Sequence, residues 1–93
     1  MGKQTFTIVN YFDVWGSQED GWQVNDAATR GTVELAEEDD DAAVLAALIA
    51  VGCISDHITL ENVKFEWEDV GFCEIYARET DEPLGCLQRR DAL

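Results

Sequence analysis

Very few side chains in this chain are equipped for covalent or acid–base chemistry. His57 is the single histidine among 93 residues, and it directly follows Ser55 and Asp56. Three consecutive residues do not turn their side chains into the geometry that a nucleophile, its base and an orienting acid require. Ser55 and Asp56 therefore read as turn or capping residues. Cys53 and His57 would together give an activated thiolate or two metal ligands. The wide separation of Cys53, Cys73 and Cys86, however, lacks the close cysteine pairs of structural zinc sites, so the thiols read as small apolar side chains of the interior. With 20 Asp and Glu residues, neighbouring carboxylates arise by number alone and mark no hydrolytic pair. The run from Glu37 to Asp41 has neither the spaced ligands nor the glycine of a calcium loop, and no glycine-rich phosphate loop is present. No catalytic residue, no metal ligand and no cofactor is expected, and the chain is not read as an enzyme.

Recognition chemistry is better represented. Trp15 and Trp22 flank the hexapeptide GSQEDG, with Asp13, Glu19, Asp20 and Asp26 close by in sequence. Two readings stand for the tryptophans. They are lids on a core, or they are exposed rings among carboxylates, an arrangement that attracts arginine and lysine side chains through their π-faces and through ion pairing. Glu37, Glu38, Asp39 and Asp40 form a second acidic group, read either as a contact for the same kind of partner or as the capping segment of a helix.

The overall charge supports a cationic counterpart. Six Lys and Arg oppose the 20 acids, leaving a formal charge of −14 distributed along the chain. Such a field repels phosphate backbones and anionic bilayers, since nucleic-acid affinity comes from cations that displace counterions. Direct nucleic-acid binding and membrane association are not expected; a basic protein surface is. High-salt adaptation is the alternative origin of the acidity, consistent with only two lysines, Lys3 and Lys64. Either way, screening of self-repulsion predicts stabilisation by salt.

The elements that must position these residues follow from pattern. At this length one domain spans residues 1–93, and hydrophobic residues at 46% suffice for a core. Residues 5–15, TFTIVNYFDVW, alternate as a strand with Phe6, Ile8, Phe12 and Val14 on one side. GSQEDG reverses the chain, and Trp22 and Val24 begin a return. Residues 25–31 read as a bulge or loop before a short alternating run at 32–35. A helix is expected from about Asp40, with Val44, Leu45, Leu48, Ile49 and Val51 as its apolar stripe and Gly52 closing it. Its other side, including Ala43, Ala46, Ala47 and Ala50, is either helix-favouring burial or a contact for a second subunit, so a homo-oligomer is a further expectation. Strands follow around Val63, Phe65 and Trp67, over residues 72–78, and after a turn at 80–83. The expected fold is α+β: an antiparallel sheet with one helix packed on one face, in the order ββ(β)αββ(β).

The longest apolar run, Ala42 to Val51, is about half of what crosses a bilayer. With an odd cysteine count and no apolar leader, a reducing cytoplasm is the expected setting.

Residues 11–25, YFDVWGSQEDGWQVN, resemble the opening of small uncharacterised proteins of bacteriophages and prophages. Their pattern is an aromatic residue, then Phe-Asp-Val-Trp-Gly, a few polar residues, and Asp-Gly-aromatic-x-Val-Asn. Tyr11, Phe12, Asp13, Val14, Trp15, Gly16, Asp20, Gly21, Trp22, Val24 and Asn25 match it, while Ser17 stands where that pattern has asparagine. The resemblance implies a phage-encoded protein in a host bacterium and no specific activity. By association, small acidic proteins of this kind include inhibitors of host or defence machinery that imitate nucleic acid.

Overall fold

The computed structural model describes residues 2–36, 38–69 and 71–90. The elements run β1 (Lys3–Ser17), β2 (Gly21–Ala36), α1 (Asp41–Ala50), β3 (Val63–Asp69), β4 (Phe72–Ala77) and β5 (Pro83–Arg89). They form one antiparallel five-stranded sheet in the order β2-β1-β5-β4-β3, with the helix on one face. This is the expected α+β fold. The run at 32–35 is not a separate strand. Ile8 pairs with Gly31 and Val9 with Thr29, so Arg30 has no opposite number and β2 continues through a bulge. The optional last strand exists, and β5 takes the central place, joining the β1–β2 hairpin to the β3–β4 hairpin.

Period-two alternation puts Phe6, Ile8, Val33, Leu35, Val63, Phe65, Cys73, Ile75 and Leu87 on the helix-covered face, where Val44, Leu45 and Leu48 pack on them. Full burial of each large aliphatic or aromatic side chain contributes roughly 1.5–3 kcal/mol. Trp67 sits at the margin of this layer, edge-on to Phe6 with ring centroids 5.7 Å apart. Phe12, expected on the same inner side, is 48% exposed. The reason is topological: β5 pairs with β1 only from Phe6 to Asn10, so no core lies under the rest of β1.

The helix ends are specified locally. The Asp40 carboxylate accepts the Ala43 N–H at 2.9 Å, and Asp41 places a second acid in the first turn. At the other end the Gly52 N–H reaches the Ile49 carbonyl and the Cys53 N–H reaches the Leu48 carbonyl, with Gly52 at φ 82. These are the two bonds of a Schellman closure, which needs a left-handed residue where glycine stands. Val51 consequently turns outward and is 48% exposed, not part of the apolar stripe. The chain from Gly52 to Asn62 then crosses to β3, tucking Cys53, Ile54, Ile58 and Leu60 against the edge of the core.

Candidate functional site

Beyond Asn10, β1 pairs among the described residues with β2 alone, so residues 11–27 form a two-stranded arm that overhangs the five-stranded sheet. Such ribbons are marginal without support. Support comes from the indole N–H of Trp22, which donates to the Thr80 carbonyl in the β4–β5 turn at 3.0 Å. The Gln18 amide adds a long contact to Asp81. At the base of the arm the Tyr11 hydroxyl donates to Glu74 of β4 at 2.7 Å.

These ties enclose an open groove of about 460 Å³, lined by Tyr11, Trp22, Val24, Glu74, Tyr76, Asp81 and Pro83. Val24 pairs with Val14, and strict alternation would put it on the opposite face from Tyr11. Asp13, at φ 55, breaks the alternation between them and turns Trp22 and Val24 toward the turn. Aspartate is one of the few side chains that adopts this conformation readily.

The groove lies on the sheet face without the helix, and its charges are unevenly matched. Lys64 pairs with Asp81 at 2.6 Å and approaches Glu66 at 3.6 Å, with its ammonium 5.6 Å from the centre of the Tyr76 ring. Hydrogen bonding to Asp81 holds the Lys64 pKa above its ordinary value, and the same bond holds the Asp81 carboxyl low. Glu74 is half-buried and stands directly opposite Glu66 on the neighbouring strand. Its partner is the Tyr11 hydroxyl, and no described cation forms an ion pair with it. Burial, then hydrogen bonding to Glu74, pushes the Tyr11 phenol strongly upward. Desolvation and the charge of Glu74 raise Tyr76 too.

Of the residues expected to meet a partner, Asp13, Trp15, Glu19, Asp20, Trp22 and Asp26 all lie on the arm. Trp15 is 58% exposed and lids nothing, whereas Trp22 is partly buried by the turn it anchors. Asp26 bonds the Ala27 N–H through its own side chain and remains exposed. The second acidic group is not brought alongside. β2 delivers it to the opposite end of a molecule 41 Å long, where Asp39 accepts the Ala36 N–H and Asp40 caps the helix. Glu38 is exposed there, and Glu37 lies outside the described residues. On the helix, Ala46 and Ala50 are exposed, while Ala43 and Ala47 are half-buried, Ala47 against the core.

The weak catalytic candidates fare as local structure. Ser55 accepts the backbone N–H of His57 as a turn brace, and the His57 ring is exposed 3.8 Å from Asp56. Among the described residues no cluster of three potential metal ligands occurs. The three cysteines are free, with Cys53 half-exposed and the other two buried. Desolvation, assisted by the charge of Asp41, pushes the Cys73 thiol up to about 12, and desolvation raises Cys86 too. A thiol reagent such as DTNB is therefore expected to titrate one equivalent, Cys53, in the native protein at neutral pH, and three equivalents after denaturation. Rapid labelling of all three in the folded state would contradict this packing.

Glu74, Tyr76 and Asp81 are not among the residues that sequence pattern singles out, and Tyr11 enters there only as part of the N-terminal motif. Alternation alone puts Tyr11 opposite Phe6 and Ile8, and Glu74 and Tyr76 opposite Cys73 and Ile75, but only the interposed β5 shows that these outward faces adjoin. Comparison of the chain with protein-family models, with curated proteins and with solved structures gives no match.

Proposed function

We propose that this is a small phage- or prophage-type interaction protein that occupies a basic, nucleic-acid-binding-like surface of a host protein, as an inhibitor of host or defence machinery would. The observation that carries this reading is the arm. Between residues 11 and 29 the charged side chains are Asp13, Glu19, Asp20 and Asp26, with no Lys or Arg among them, and all four acids are exposed beside the apolar surfaces of Phe12, Trp15 and Val24. Carboxylates around exposed aromatic surface suit a cationic protein partner better than a phosphate backbone, which the same field repels. No helix among the described residues is long and apolar enough to cross a membrane. The host cytoplasm, a non-enzymatic mode of action and the absence of direct nucleic-acid contact belong to this proposal.

The test is affinity capture from host lysate followed by binding of the purified partner in a salt series. The expected partner is basic, competes with duplex DNA for the same surface, and loses at least about tenfold in affinity between roughly 0.05 and 0.5 M salt. A partner held equally well across that range would refute the electrostatic basis.

A second reading, an accessory subunit that oligomerises through the helix, has one observation in its favour: Ala46, Ala50 and Val51 are exposed together at the uncharged side of α1. Light scattering separates the two, since a monomer at working concentration removes it.

A further inference from the structure

The groove beneath the arm is chemically more specific than the acidic surface around it. Three aromatic side chains, Tyr11, Trp22 and Tyr76, converge there from β1, β2 and β4. Aromatic faces together with a carboxylate in a partly desolvated cleft are the standard means of holding an organic cation. Two of its lining residues already engage the chain's own Lys64 in this way, with the ammonium 2.6 Å from Asp81 and 5.6 Å from the centre of the Tyr76 ring. Beside Glu74 the groove has the same components, and no described cation pairs with that carboxylate. Glu74, partly withdrawn from water, stands opposite Glu66 across the strand pair; Lys64 approaches Glu66 at 3.6 Å, whereas no described cation pairs with Glu74, so a positive group entering beside it would relieve the like-charge pairing further.

We propose that this part of the groove is a guanidinium cleft, which receives one arginine side chain of the basic partner between the aromatic rings and pairs it with Glu74. The proposal rests on the reading of the protein as a ligand for a basic surface, and it assigns the anchoring contact within that surface. Arginine fits better than lysine on three counts. Its planar cation stacks on rings, its weaker hydration lowers the cost of entering a partly buried site, and its fork of donors can reach Glu74 while the Tyr11 hydroxyl occupies only part of that carboxylate's acceptor capacity. The surroundings favour the same ligand. Tyr11 and Glu74 are on the sheet face that the helix leaves open, so a side chain projecting from a flat basic surface reaches them without rearrangement of the core.

The probe is a short peptide carrying arginine, compared with otherwise identical peptides carrying lysine or citrulline. Binding is followed through the indole N–H resonance of Trp22 in a ¹⁵N-correlated spectrum. The arginine peptide is expected to shift that resonance saturably. The citrulline peptide, which keeps the shape and loses the charge, should leave it in place, and lysine should bind more weakly. Glu74→Gln, whose amide oxygen still accepts the Tyr11 hydroxyl, should weaken arginine binding about tenfold or more. Tyr76→Leu provides a second, uncharged perturbation, and His57→Ala on the distant loop should change nothing. Equal affinity for arginine and lysine would overturn the guanidinium assignment. If arginine peptides bind in a salt-dependent way while the Trp22 resonance stays fixed and Glu74→Gln is silent, the cleft proposal fails and the basic-surface reading survives. If no cationic peptide binds even at low salt, both fall.

Discussion

Gly85→Ala should lower the melting temperature by roughly 12–24 °C, as expected for a loss of about 3 kcal/mol from a domain of this size. Gly85 is buried in the central strand, opposite Asn10 of β1 and Ile75 of β4. A Cβ placed there would run into the carbonyl oxygen of Val9 and crowd the backbone of Asn10. Those are main-chain atoms of the adjacent strand, so relief requires strand separation and not a rotamer change. Overpacking ordinarily costs about 1–3 kcal/mol, and a backbone obstacle puts this site at the upper end. Total stability of domains is about 5–15 kcal/mol, which makes that loss a large fraction. Gly2→Ala, whose Cβ would meet nothing within 4 Å, is the matched control and should be neutral. Gly16→Ala also collides with backbone, here the Gly21 carbonyl, at φ 121. Its damage should stay within the arm, costing partner binding more than melting temperature. A Gly85→Ala protein that melts with the wild type would mean that β5 does not lie against β1 in the register described.

The contrast between those glycines reflects how much of the molecule was legible in sequence. Local features were readable because their causes are local. Asp40 and Gly52 bracket the helix through capping bonds made within three to five residues, and GSQEDG reverses the chain through its own turn chemistry. The alternation of Phe6 with Ile8 and of Cys73 with Ile75 likewise predicts the buried face. What could not be read depends on where β5 goes. The same residues after the last turn could pair with β4 alone, leaving β1 at an edge; inserted between the hairpins, they bring Tyr11 within 2.7 Å of Glu74, 63 positions away. The short reach of β5 along β1 also explains why Phe12 is exposed despite standing in phase with the core. Asp13 is the other blind spot, because its left-handed backbone, and hence the shared groove of Tyr11 and Val24, leaves no mark on hydrophobic period. The acidic group before the helix shows the converse. Composition grouped it with the arm, whereas β2 holds the two at opposite ends, so a partner touching both must span the length of the hairpin.

Alkaline pH should destabilise this protein progressively above about pH 9, and Cys73 identifies why. Its thiol ordinarily ionises near 9.0, but in the fold, burial and the charge of Asp41 push it up to about 12. Below pH 9 it is protonated in both states and contributes no pH dependence. Above that, the unfolded chain ionises while the folded one retains its proton, so the unfolded state is favoured by about 1.4 kcal/mol per pH unit until the folded thiol itself titrates. The window from 9.0 to about 12 sets a ceiling of about 4 kcal/mol from this residue alone. Cys86 and Tyr11 are shifted in the same direction by burial and add to the slope. The sign is opposite for a carboxylate such as Asp81, whose depressed pKa supports the fold above its unfolded value and withdraws that support in acid. Urea unfolding under reducing conditions at about pH 8, 9.5 and 11 measures the effect, and Cys73→Ala should flatten the curve by about one proton's worth of slope while lowering stability at neutral pH only through lost packing. If Cys73→Ala and the wild type lose stability in parallel between those values, the thiol ionises as readily in the fold as outside it, and the packing that buries Cys73 is not closed to water.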